Sequence, residues 1–73
     1  MLTFFDAKRE LKQIYALGLK AIKRKDAKYI NYLLFNLEQL DKALIDKFKL
    51  DQFGRYVIGK EIKKMRAYLS QKR

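Results

Sequence analysis

Apolar positions recur at helical spacing along the whole 73-residue chain, and the alternation of a half-buried strand is nowhere sustained. Phe4, Ala7, Leu11, Ile14, Tyr15, Gly18 and Ile22 fall on one stripe when residues advance by about 100° each, which predicts an amphipathic helix over residues 3–24. Thr3 followed by Asp6 resembles a capping box, with Asp in place of the usual Glu or Gln. At the far end, Lys23-Arg24-Lys25 complements the negative pole of the helix dipole.

Asp26 reads as the N-cap of a second helix over 27–48. Its stripe is the clearest in the chain: Ile30, Leu33, Leu34, Leu37, Leu40, Leu44, Ile45 and Phe48. Ile30, Leu37 and Leu44 repeat at seven, as do Leu33 and Leu40. So short a heptad run favours the central helix of a bundle, with a homodimer seam through this helix as the alternative. Lys49-Leu50 forms the second turn, and Asp51 caps a third helix over 52–70 with Ile58, Ile62, Met65 and Leu69 as its core positions. Gly54 and Gly59 each cost that helix about 1 kcal/mol relative to Ala, so its first turns are either weak or close to another backbone.

Three helices joined by very short turns give an all-α fold: a small three-helix bundle, up-down-up, in one domain spanning 1–73. The alternative is a helical hairpin crossed steeply by the third helix. No apolar run approaches the roughly 20 residues that span a bilayer, so integral membrane insertion is not expected. Charge arrives early in Met1-Leu2-Thr3-Phe4-Phe5-Asp6, unlike a signal peptide. The expected location is the cytoplasm of a bacterial or infected host cell.

Composition narrows the chemistry. Histidine and cysteine are both absent, which removes imidazole and thiolate metal ligands, disulfides and a near-neutral general base. Thr3 and Ser70 are the only alcohols apart from tyrosine, and neither has a histidine to activate it. Glu38 and Asp41 share a helix face at i,i+3, but a Glu38–Lys42 ion pair explains Glu38 more simply than a divalent-ion site does. No phosphate-cradling glycine loop is present. Neither enzymatic activity nor a cofactor nor a metal is expected.

The chain carries 18 Lys and Arg against 8 Asp and Glu, a net charge of +10. By helix the balance is +4 for residues 1–26, +1 for 27–49 and +5 for 50–73. The excess therefore belongs to the first and third helices. On the third, Arg55, Tyr56, Lys60, Lys63, Lys64 and Arg66 lie on the polar arc; on the first, Lys20, Lys23 and Arg24 extend it, with Lys8, Arg9 and Lys12 nearer the N-terminus. Bases with a ring set among them suit single-stranded nucleic acid, where cations neutralise phosphates and rings stack on bases.

Any amphipathic helix turns Lys and Arg to water, so a solvated face is the bland explanation. Local acid partners are few, however: Asp6 for Arg9, Asp51 for Arg55 and Glu61 for Lys64 at helical neighbour spacing. Self-repulsion of this size favours a polyanionic partner. A helix-turn-helix over Asp41–Met65 aligns poorly, with Lys47 at the turn and Phe53 and Tyr56 at core positions. The apolar stripes are needed to bury one another, which argues against a free membrane-surface helix.

The expectation is a non-enzymatic nucleic-acid-binding accessory protein, of the kind carried by phages or mobile elements, with little sequence preference. The alternative is a small regulator that docks its basic face on an acidic host protein, with Leu19, Phe35 and Phe53 as an exposed apolar patch.

Overall fold

The computed structural model describes residues 2–73, which form three helices: α1 Phe4–Arg24, α2 Ala27–Asp46 and α3 Gln52–Lys72. They pack as an up-down-up bundle with Cα extents of 37 × 18 × 15 Å. α1 and α3 therefore run parallel, and α2 runs antiparallel to both. Among the described residues there is no strand, and no helix is long and apolar enough to cross a membrane.

Each helix starts at an aspartate-based cap. The Thr3 N–H donates to Asp6 Oδ2 at 2.7 Å and the Asp6 N–H to Thr3 Oγ1 at 3.4 Å, completing the capping box. Asp26 Oδ1 accepts from the Tyr29 N–H at 3.1 Å, and Asp51 Oδ1 from the Gly54 N–H at 2.6 Å. α1 ends in a Schellman motif: the Lys25 N–H reaches the Ile22 carbonyl and the Asp26 N–H reaches the Ala21 carbonyl. Lys25 holds the left-handed position (φ 57°, ψ 41°) that usually falls to glycine.

Two helix ends differ from the periodicity. α2 stops at Asp46, two residues before Phe48, because the chain has to reverse there. The Lys47 and Phe48 N–H groups both turn back to the Ala43 carbonyl, and the Lys49 N–H donates to the Leu2 carbonyl at 2.7 Å. This short parallel bridge between Leu2 and Phe48 ties the start of the chain to the second turn and buries the Phe48 ring. α3 runs on past Ser70 to Lys72, and the Arg73 guanidinium donates to Asn31 Oδ1 at 2.7 Å, fastening the end of α3 to the start of α2.

The core lies on the three axial seams. Ile30, Leu33 and Leu37 from α2 and Ile58, Ile62 and Leu69 from α3 are fully buried, against Ala7, Leu11, Ile14 and Ala21 from α1. The leucine stripe of α2, the candidate dimer seam, is thus buried within the chain itself.

Two stripe assignments are corrected. Tyr15 is 48% exposed, because its position lies at the α1–α3 margin where the phenol reaches water. Ile45 is 72% exposed, since its position in the last turn of α2 points off the seam. At Gly18 α1 packs tightly on α3: a Cβ built there would stand 2.9 Å from Leu69 Cδ2. Gly59, by contrast, faces open space apart from Asp41 Oδ1 at 4.0 Å.

Candidate nucleic-acid interface

The sequence locates the charge by helix, and the fold relocates it by end. The contacts Phe4–Gly54, Gly18–Leu69 and Asn31–Arg73 place the C-terminal halves of α1 and α3 beside the N-terminal half of α2. This half of the bundle, residues 15–36 and 63–73, holds ten Lys and Arg and a single acid, Asp26. The opposite half, residues 1–14 and 37–62, holds eight bases and seven acids. Nearly all of the net charge therefore sits at one end of an elongated bundle. We call it the Arg24 end.

Ion pairing sharpens the contrast. Among the described residues two ion pairs form, Asp6–Arg9 at 3.4 Å and Glu38–Lys42 at 3.6 Å, and both lie in the balanced half. None of the ten bases at the Arg24 end is paired with a carboxylate, among the described residues. Asp26 is already engaged as the cap of α2. Asp51 likewise caps α3 and does not pair with Arg55, and Glu61 does not pair with Lys64, so two of the three local pairs expected from spacing are absent. Among the described residues, Asp6 is the carboxyl whose ionised form is clearly favoured. The Thr3 backbone N–H, then the Thr3 hydroxyl, holds its carboxyl below the ordinary aspartate value, with a smaller contribution from Arg9.

All nine residues assigned from the sequence are exposed. Lys20, Lys23, Arg24, Lys63, Lys64 and Arg66 belong to the Arg24 end. Arg55, Tyr56 and Lys60 belong to the balanced half, where Lys60 Nζ lies 5.9 Å from the centroid of the exposed Tyr56 ring. The fold adds Lys25, Lys28, Lys72 and Arg73 to the basic end, which no helix-by-helix tally joins to Lys20 and Lys23. Lys72 Nζ stands 5.6 Å from the Tyr68 ring centroid, and Tyr29 stacks on Tyr32 at 5.8 Å.

A cleft of about 660 Å³ runs between the two parallel helices, lined by Lys8, Lys12 and Tyr15 of α1 and Lys64 and Tyr68 of α3. Its floor is Leu11, Val57, Ile58 and Met65, and Glu61 is its one acid. Tyr68 has no precursor in the sequence reading, and Tyr15 there belonged to the core. The signal that could have found them is their position on the margins of the α1 and α3 stripes, where rings stay half exposed.

The apolar residues of the alternative reading are exposed too: Phe53 at 73%, Phe35 at 56% and Leu19 at 42%. They come from three different helices. Among the described residues no group of three or more acidic side chains gathers in a way that could hold a metal ion. Comparison with protein-family models, with curated proteins and with solved structures found no match.

Proposed function

We propose that this chain is a non-enzymatic nucleic-acid-binding protein that grips the phosphate backbone with its Arg24 end and has little sequence preference. The observation that carries this reading is the concentration there of ten bases with one acid, none of them ion-paired among the described residues. Like charges gathered within about a Debye length of one another destabilise a small fold unless an anion joins them. A phosphate backbone is such an anion, and its release of condensed counterions drives binding.

The Schellman turn adds support. A left-handed residue costs a side chain about 1–2 kcal/mol relative to glycine, yet this chain places a cation, Lys25, at that position. In this reading a cytoplasmic location, near nucleic acid, accompanies the activity.

The test is an electrophoretic shift with single-stranded DNA, duplex DNA and RNA at low and moderate salt. The native chain is compared with a Lys23→Glu, Lys63→Glu variant and a Phe35→Ala variant. Binding at low salt, lost in the charge-reversed protein and kept in the Phe35 variant, is the expected outcome. No measurable binding of any nucleic acid at low salt would overturn the proposal. The regulator reading draws on the exposure of Phe35 and Phe53, and loss of capture of an acidic protein by Phe35→Ala would favour it instead.

A further inference from the structure

Resting on the nucleic-acid reading, we infer that the α1–α3 cleft takes a single strand rather than a duplex, with bases stacked on Tyr15 and Tyr68 and phosphates on Lys8, Lys12 and Lys64. Both rings line the cleft, and both keep a large solvent-facing area, 48% for Tyr15 and 39% for Tyr68. An exposed ring offers a π-face to any base, which is why stacking tolerates sequence. The apolar floor of Leu11, Val57, Ile58 and Met65 gives the edges of an unstacked base a place out of water, which the paired bases inside a duplex cannot reach.

Lysines stand on both walls, Lys8 and Lys12 on α1 and Lys64 on α3, so a backbone running along the cleft meets cations on either side. The cleft has one acid, Glu61, which forms no ion pair among the described residues. Because α1 and α3 are parallel, the cleft runs toward the Arg24 end, where Lys64 and Tyr68 already belong to it. The aromatic rings also separate this surface from a general cation sink: Lys72 already lies over Tyr68, so a base stacking there gains a neighbouring cation.

The experiment measures affinity for an oligothymidylate and for a duplex of equal length, using anisotropy of a labelled strand. The proteins are the native chain, Tyr15→Ala with Tyr68→Ala, the matching Tyr→Phe pair, and Lys23→Glu with Arg24→Glu. Far-ultraviolet circular dichroism confirms that each is folded. Loss of a stacking ring is expected to weaken single-strand binding by about fivefold or more per ring. The Phe pair should retain the affinity, and duplex binding should be unaffected by either tyrosine change. The Lys23→Glu, Arg24→Glu protein should lose affinity for both ligands.

Single-strand affinity unchanged in the Ala pair, or equal affinity of the native chain for duplex and single strand, overturns the cleft assignment and leaves the basic-end reading standing. Absence of binding to either nucleic acid overturns both. Fluorescence offers a second readout, because the chain has five tyrosines and no tryptophan. Quenching by the oligothymidylate should shrink in the Ala pair, and undiminished quenching there contradicts stacking in the cleft.

Discussion

Glycine-to-alanine substitutions at Gly18 and Gly59 separate two roles that look alike in the sequence, since both residues lie well inside helices. Each replacement gains about 1 kcal/mol of helix propensity. At Gly59 little opposes that gain, because the new methyl meets only Asp41 Oδ1 at 4.0 Å. At Gly18 the methyl would stand 2.9 Å from Leu69 Cδ2 and 3.6 Å from Cδ1, where carbon atoms prefer about 3.5–4.0 Å. Leu69 is 1% exposed and packed in the core, so relief means turning its side chain against its neighbours or parting α1 from α3.

Overpacking of this kind costs about 1–3 kcal/mol. Gly59→Ala should therefore be more stable than the native chain, and Gly18→Ala less stable than Gly59→Ala by about 1–3 kcal/mol, the propensity gain cancelling in that comparison. For a domain of this size each kcal/mol moves Tm by about 4–8 °C, so thermal and urea melts followed by circular dichroism resolve the difference. Equal stability of the two variants would refute the close approach at Gly18. Gly18 lies one turn from Tyr15, and Leu69 adjoins Tyr68, so the contact borders the two rings of the cleft.

Two further outcomes follow from the caps and turns. Lys25→Gly should raise stability by about 1 kcal/mol by removing left-handed strain, while weakening nucleic-acid binding through loss of one cation; melts and anisotropy on the same protein check both. Asp6, held below its ordinary value mainly by the Thr3 N–H, contributes stability that is complete above the unfolded aspartate pKa and is lost as pH falls through the depressed folded value. A carboxyl titration by NMR should show Asp6 titrating below an ordinary aspartate, and Thr3→Pro, which removes the N–H, should raise it.

Much of the fold was legible because the cues are local. Thr3, Asp26 and Asp51 have side-chain oxygens that reach the backbone three residues on, and the stripes of Leu33, Leu37, Leu40 and of Ile58, Ile62, Leu69 fix which faces meet. The misread positions are those where a neighbouring segment decides. Phe48 is buried outside α2 by the bridge to Leu2, which no helical periodicity contains. Tyr15 and Ile45 sit at the edges of their stripes, where the angle between helices, not the spacing, sets exposure.

The candidate interface was legible in composition but not in shape. Lys20 and Lys63, or Lys28 and Lys72, become members of one charged end only when α1 and α3 run parallel with α2 returning between them. Helix-by-helix sums also hid that Arg55 and Lys60 share their half of the bundle with most of the acids.

The most direct measurement is the salt dependence of single-strand affinity, followed by anisotropy across a series of monovalent salt concentrations. If Lys20, Lys23, Arg24, Lys63, Lys64 and Arg66 each neutralise one phosphate, log K should fall against log salt with a slope of about −4. A slope near zero, or no binding at the lowest salt, would contradict a basic end built to hold a phosphate backbone.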